Sequence, residues 1–115
     1  MKTITLLAAI IVLGFGLGCS PVHFDTRVEI GGDPGIAFQC WYATTWYGAD
    51  SVYGTTPHSF DVKMRRKLGA IAVSIYRENS PGLLWAKLYV DGVVRDADST
   101  TSDPGGISLG WSTTE

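Results

Sequence analysis

The sequence is poor in the residues on which most catalytic and metal sites depend. It contains two histidines and two cysteines among 115 residues, and His23 and His58 lack the spacing of zinc ligands. No Gly-x-Ser-x-Gly turn and no Ser/His/Asp arrangement can be assigned. The aspartates between positions 91 and 103 lack the twelve-residue ligand loop of a calcium site and are interpreted as solvated turn residues. We therefore predict that the protein is not an enzyme and has no metal or cofactor.

Positive charge and helical periodicity are scarce as well. Lysine and arginine number nine against eleven aspartates and glutamates, so the chain has no basic footprint for nucleic acid. Beyond the first eighteen residues, no stretch has a helical period over ten residues. These absences exclude nucleic-acid binding and favour an all-β fold.

The N-terminus carries a clear export signal. Lys2 precedes an apolar run over residues 4–13, and a glycine-rich stretch then leads to Cys19. A charged start, an apolar middle and small residues before the cut are typical of a secretory signal peptide. We predict that residues 1–18 are removed and that the mature chain begins at Cys19.

The end of this segment resembles a bacterial lipoprotein signal, on Gly18 and Cys19. The resemblance implies that Cys19 carries a diacylglycerol thioether and an acylated amino group, palmitate included, and that residues 19–21 tether the domain to a membrane. Ser20, rather than aspartate, points to the outer membrane facing the periplasm in a Gram-negative cell. Gly16 stands where such signals usually have a larger aliphatic residue, so ordinary cleavage and secretion, or an uncleaved anchor, remain alternatives.

The mature chain is one domain, residues 22–115. Removal of the signal leaves about 97 residues, close to the common domain size. The two cysteines have alternative fates. If Cys19 is acylated, Cys40 is a lone thiol, and if it is not, an exported chain can pair the two. The first interpretation makes Cys40 a small buried hydrophobe.

Period-two alternation predicts most of the strands. The strands are expected at 22–30, 36–42, 60–65, 70–77, 83–90, 93–99 and 107–111. Residues 43–59 have no clean period, and we interpret them as a short strand, a turn and a loose loop. Both faces of residues 83–90 are apolar, which predicts a central strand. Asp91-Gly92 is a strong signal for a two-residue hairpin.

Seven or eight short strands separated by turns indicate a small antiparallel immunoglobulin-like β-sandwich. Alternate residues of each strand then form the core between two sheets. The predicted inward set is Val22, Phe24, Val28, Phe38, Val62, Ile71, Val73, Ile75, Leu84, Leu88 and Leu109.

The C-terminal half resembles a known family. It runs from the strand Leu68-Gly69-Ala70-Ile71-Ala72-Val73-Ser74-Ile75, through a turn, to Leu84-Trp85-Ala86-Lys87-Leu88-Tyr89-Val90-Asp91-Gly92-Val93-Val94. This order is similar to the extracytoplasmic domain of the MmpS family, small membrane proteins that accompany lipid and siderophore exporters. The resemblance covers about 45 residues and implies a non-catalytic accessory of an envelope complex.

Aromatic residues are concentrated in one region. Trp41, Trp46, Tyr47 and Tyr53 lie close together, and flat rings with polar tips recur at binding surfaces. We predict that they form a platform for a partner, with core filling as the alternative. The basic run of residues 65–67 suits either anionic headgroups or a solvated hairpin tip.

Two functions follow from these features. The first is a membrane-anchored interaction module of an envelope complex, with a transporter or another envelope protein as partner. The second is a surface carbohydrate-binding domain that uses the aromatic cluster of residues 41–53.

Overall fold

The fold is built from β-strands. A computed structural model describes residues 22–78, 81–101 and 105–113. Its strands are β1 (His23–Gly32), β2 (Ala37–Thr44), β3 (Gly48–Thr55), β4 (His58–Arg65), β5 (Ala70–Arg77), β6 (Leu84–Val90), β7 (Val93–Thr100) and β8 (Gly106–Ser112). Within these ranges no helix long and apolar enough to span a bilayer is found. The predicted signal, the tether and Cys19 lie outside the described residues.

The strands form two antiparallel sheets. Sheet I has the order β4-β1-β6-β7, and sheet II has the order β3-β2-β5-β8. Every pair of neighbours in each sheet is antiparallel. The predicted small sandwich of seven to eight strands is thus confirmed, with eight strands.

The core lies between the sheets because each strand buries alternate side chains. In β6, Leu84, Ala86, Leu88 and Val90 are buried while the residues between them are half-buried, as expected for a strand flanked by β1 and β7. Most other core side chains were expected inside, and each large one contributes about 1.5–3 kcal/mol when fully buried. The core also contains Ile30, Ile36, Cys40, Met64 and Ile107.

Val22 was predicted to face the core, and this prediction is wrong. Its side chain is 59% exposed, because Val22 precedes His23, the first residue of β1, and lies at the end of the sheet. Its carbonyl accepts a hydrogen bond from the Arg66 N–H at 2.9 Å, so its backbone continues the pairing of β1 with the chain after β4. The predicted alternation therefore holds within β1, but the predicted strand begins one residue too early.

The interpretation of residues 43–59 is wrong in its order and in the loose loop, although a turn and a strand are present. The structure has a tight turn at residues 45–47, then the eight-residue strand β3, and then a cis Thr56–Pro57 bond that leads into β4. β3 is an edge strand, and its inward positions include Asp50, Val52 and Gly54, of which only Val52 is a large apolar residue. The apolar period that marks other strands is therefore missing.

The β6–β7 hairpin has the predicted geometry. Val90 pairs with Val93, so Asp91 and Gly92 alone form the loop, with φ values of 51° and 78°. Two successive positive φ angles are typical of the type I′ turn, which matches the twist of the flanking strands.

Three turns lie at the end of the sandwich where β1 begins. They are residues 45–47, 66–69 and 91–92, and with Val22 we call them the entry end. Side-chain contacts join them: Trp46 Nε1–H donates to Lys67 O at 3.2 Å, and Arg66 pairs with Asp91 at 2.8 Å. The entry end is therefore one connected surface, at which the chain enters the domain.

Candidate functional site

The strands of sheet II carry no charged side chain on their outer face, and the exposed Glu78, whose N–H donates to Ala37 O at 2.9 Å, lies just after β5 at one end of this face. Strand register places alternate residues of β3, β2, β5 and β8 on this face. They are Ala49, Ser51, Tyr53, Thr55, Ala37, Gln39, Trp41, Ala43, Ala70, Ala72, Ser74, Tyr76, Gly106, Ser108, Gly110 and Ser112. None of these described residues carries a charge. We call this surface the aromatic face.

Three aromatic side chains stand on the aromatic face. Trp41 is 48% exposed, Tyr53 is 61% exposed and Tyr76 is 53% exposed. Tyr53 and Tyr76 are the two cross-strand neighbours of Gln39, whose Nε2 donates a hydrogen bond to the Tyr53 hydroxyl at 3.0 Å. Because strands lie about 4.8 Å apart, the two tyrosines on β3 and β5 are about 10 Å apart at the backbone, with β2 between them.

Small residues surround these rings. Trp41 lies in a cross-strand row with Ser51, Ser74 and Ser108, and the next row toward the entry end consists of alanines and Gly110. A Cβ atom added at Gly106 would meet the Tyr76 ring at 3.4 Å, so the ring leans over that glycine. The three aromatic rings therefore project from a surface that otherwise consists mainly of small side chains.

The outer face of sheet I is different because it is densely charged. Asp25 lies opposite Lys63, Arg27 opposite Asp61, and Glu29 opposite Lys87. Such pairs of opposite charge on neighbouring strands stabilise a solvated sheet surface. The two faces of the sandwich thus have different chemistry, and the charged one has the character of an ordinary solvent-facing surface.

Tyr89 is part of this charged network. Its hydroxyl donates a hydrogen bond to Glu29 Oε1 at 2.9 Å, and the Arg27 guanidinium lies 4.7 Å from its ring centroid. The hydrogen bond to Glu29 raises the pKa of Tyr89. Tyr89 is therefore held by neighbours within the fold.

The four aromatic residues predicted as one platform divide between two places. Trp41 and Tyr53 share the aromatic face, whereas Trp46 and Tyr47 lie in the turn after β2. The Trp46 Nε1–H donates to Lys67 O at 3.2 Å, and Tyr47 is hydrogen-bonded to His23 at the start of β1. The turn thus directs these two side chains toward the entry end of the molecule.

Sequence reasoning missed Tyr76 as a member of the aromatic face. The alternation of β5 indicated its position, because Ile71, Val73 and Ile75 define the inward positions and leave Tyr76 on the outer side. Its proximity to Trp41 and Tyr53 depends on strand order, with β2 between β3 and β5.

A groove of about 620 Å³ lies on the other side of the sandwich, lined in part by Glu29, Gly31, His58 and Trp85. Trp85 covers Gly31, where an added Cβ atom would clash with the indole. Glu29 already binds Tyr89, and the His58 ring packs near Phe38 with centroids 5.5 Å apart. The titratable groups of the groove are thus engaged by the fold itself.

The remaining candidates for chemistry are dispersed or inaccessible. Cys40 is a free and fully buried thiol, and burial raises its pKa to about 12. Among the described residues, no three His, Cys, Asp or Glu side chains are grouped so that they could hold a metal ion. Asp103, one of the aspartates considered above as possible calcium ligands, lies outside the described ranges.

Comparison with known proteins adds no relative. No protein-family model matches the sequence, and no curated protein matches it.

Proposed function

We propose that this protein is a lipoprotein anchored to a cell-envelope membrane through Cys19, and that it acts there as a non-catalytic interaction module. The observation that carries the proposal is the aromatic face, where Trp41, Tyr53 and Tyr76 are exposed on an uncharged sheet surface. The signal sequence supplies the location, and this surface supplies the means of recognition.

The composition of the aromatic face is that of a binding surface. Tryptophan and tyrosine are enriched among residues that dominate interface energies, and charged residues are depleted at interface centres. Contiguous exposed apolar surface on a soluble domain commonly marks an interaction site. The outer face of sheet I also carries two aromatic side chains, Trp85 and Tyr89, but both are half-buried. Trp85 lies against Gly31, and Tyr89 is held by Glu29 and Arg27. Charged residues surround them, so the two sides of the domain have different roles.

The partner that we favour is another envelope protein, with a membrane transporter as the leading candidate. The MmpS-like order of residues 68–94 supports this choice, since proteins of that family accompany exporters. A domain held on the membrane by acyl chains meets membrane-embedded partners by lateral diffusion, and a smooth sheet face suits docking against another folded surface.

Co-purification from chemically crosslinked membranes tests the proposal. The wild-type chain and Leu83→Ser should recover the same specific envelope protein, whereas Trp41→Ser should lose most of it, because Trp41 is at the centre of the aromatic face. Leu83 is the control because its apolar side chain is also exposed, at 39%, but lies on neither the aromatic face nor the entry end. Equal recovery by all three chains, or by none above background, would contradict the proposal.

A second candidate function is binding of a neutral polysaccharide. The observation in its favour is the row of hydroxyl side chains beside the indole, Ser51, Ser74 and Ser108, with the Gln39 amide in the next row. An aromatic ring stacks on the apolar face of a sugar, while neutral hydroxyl and amide groups exchange hydrogen bonds with its hydroxyls.

Pull-down with insoluble envelope and surface polysaccharides tests this second function. Binding by the wild type that is lost in Trp41→Ala and in Tyr53→Ala, and kept in Trp46→Ala, supports a sugar platform. Binding that is unchanged in Trp41→Ala would exclude the aromatic face as a sugar site.

A further inference from the structure

We propose that the entry end of the sandwich rests on the surface of an anionic bilayer, so that the domain stands on the membrane through its turns. The proposal rests on the lipid anchor at Cys19 and adds an orientation to it. Three independent features of the entry end support it: its distance from the anchor, its exposed apolar side chains and its positive charge.

A lipid anchor at Cys19 keeps the domain close to the bilayer. Val22 is the first described residue and lies at the entry end. Between Cys19 and Val22 the chain spans at most about 10 Å when fully extended, and a diacylglycerol on Cys19 sits in the bilayer. The entry end is therefore the part of the domain nearest the lipid headgroups.

The entry end also collects most of the exposed apolar side chains that are not on the aromatic face. Val22 is 59% exposed, Trp46 57%, Tyr47 45% and Leu68 62%, with Val93 and Val94 beside the β6–β7 hairpin also exposed. Tryptophan and tyrosine favour the boundary between headgroups and acyl chains, where an apolar ring and a polar tip are both accommodated.

Backbone conformation strengthens this point. Trp46 has a φ of 80° and Leu68 has a φ of 55°, a region where glycine or asparagine is usual and a bulky residue is rare. A large apolar side chain in such a turn gains little from burial and strains the backbone. The Trp46 indole N–H is bonded to Lys67 O, but most of the ring and the Leu68 side chain stay exposed. Contact with a membrane gives these exposed apolar surfaces a partner.

Positive charge surrounds these apolar side chains. Arg65 lies 4.7 Å from the Trp46 ring centroid, Lys67 is exposed in the turn at residues 66–69, and Arg95 lines a pocket with Arg66 and Asp91. Lys63 lies 5.5 Å from the Tyr47 ring centroid, and Asp25 opposite it offsets part of its charge. Arg66 is paired with Asp91 at 2.8 Å, so one carboxylate of the entry end is already neutralised. Each cation near an anionic bilayer raises binding about fivefold.

The orientation has a consequence for recognition. When the turns of the entry end touch the bilayer, the strands rise from it and the aromatic face points sideways, parallel to the membrane plane. A partner embedded in the same membrane then meets that face directly.

Tryptophan quenching by brominated lipids tests the proposal. The naturally processed protein is reconstituted into vesicles of phosphatidylcholine and brominated phosphatidylglycerol, and its intact mass is read to establish acylation. We expect strong quenching in the wild type and in Trp41→Phe, and loss of most of it in Trp46→Phe. Undiminished quenching in Trp46→Phe, or its loss in Trp41→Phe, would place another surface on the membrane and overturn the proposal.

Two further experiments test the membrane contact of the entry end separately from the acylation of Cys19. Leu68→Gly relieves the backbone at a positive φ, so it should keep the fold while reducing quenching of Trp46 several-fold. If the mass shows no acyl chains, the same chain is mixed with anionic vesicles at low salt. Quenching of Trp46 that salt reverses supports the entry end as a membrane surface while contradicting the anchor, and no quenching contradicts both.

Discussion

At the scale of single residues, Thr26 is an unfavourable element of the core. It is 2% exposed on β1, and its Oγ1 has no hydrogen-bond partner. A buried hydroxyl without a partner loses its hydration and receives nothing in return, at a cost of about 1–3 kcal/mol.

Thr26→Val should therefore stabilise the domain by about 1 kcal/mol, because it replaces the unpaired hydroxyl by a methyl group of the same shape. The midpoint of urea unfolding, at an unchanged slope, is the measurement. Thr56→Val is the matched control: Thr56 Oγ1 accepts from the Ile36 N–H at 2.9 Å and donates to Asp33 O at 2.6 Å, so it should destabilise. A loss of stability in Thr26→Val would show that the hydroxyl has a partner.

Cys40 provides a second prediction at this scale. Since burial raises the pKa of its thiol to about 12 and the thiolate is the reactive form, the native protein should not react with a water-soluble disulfide reagent at pH 8. In denaturant, one thiol per chain should react. No reactive thiol in denaturant without a reductant would point instead to a Cys19–Cys40 disulfide and against acylation of Cys19.

At the scale of the element, the β6–β7 hairpin is tied through Asp91 to the start of β1 and to the turn at residues 66–69. Asp91 Oδ1 accepts a hydrogen bond from the Asp25 N–H at 2.8 Å, and Oδ2 accepts one from Arg66 at 2.8 Å. The Asp25 N–H, followed by Arg66, lowers the pKa of Asp91 below 3.8.

A lowered carboxyl pKa stabilises the fold at pH values above the unfolded pKa, and that contribution is lost as pH falls through the folded pKa. Asp91→Asn, which keeps a residue suited to positive φ, should cost less than about 1 kcal/mol at pH 7, because the pair is exposed. Urea unfolding at several pH values should show that the difference in unfolding free energy between the wild type and Asp91→Asn shrinks below pH 3.8. A difference that stays constant down to the lowest pH would mean that the charge on Asp91 does not contribute to stability.

The elements that sequence reasoning found are those whose signals are local. Alternation along β1 and the Asp91-Gly92 dipeptide each depend on neighbours in the chain, and both were predicted correctly apart from Val22. β3 was predicted only as part of a short strand, a turn and a loop. Its inward positions include Gly48, Asp50 and Gly54, which have the character of turn residues. The grouping of Tyr76 with Trp41 was beyond the sequence for a different reason, since it follows from the long-range pairing of β2 with β5.

At the scale of the whole molecule, the sandwich has three surfaces of different chemistry. One sheet face is charged, the other is uncharged and aromatic, and the entry end combines apolar side chains with cations. This division accounts for nearly all the exposed large apolar side chains of the described residues without assigning any of them to the core. It fits a domain that is held at one end and recognises a partner with one side.

The most direct test is photo-crosslinking in living cells from a photoreactive amino acid in place of Ser74, the cross-strand neighbour of Trp41. The same residue in place of Lys87, on the outer face of sheet I, is the control. We predict a discrete light-dependent adduct with one envelope component from position 74 and none from position 87. An adduct from position 87 alone, or no adduct from position 74, would contradict the assignment of recognition to the aromatic face.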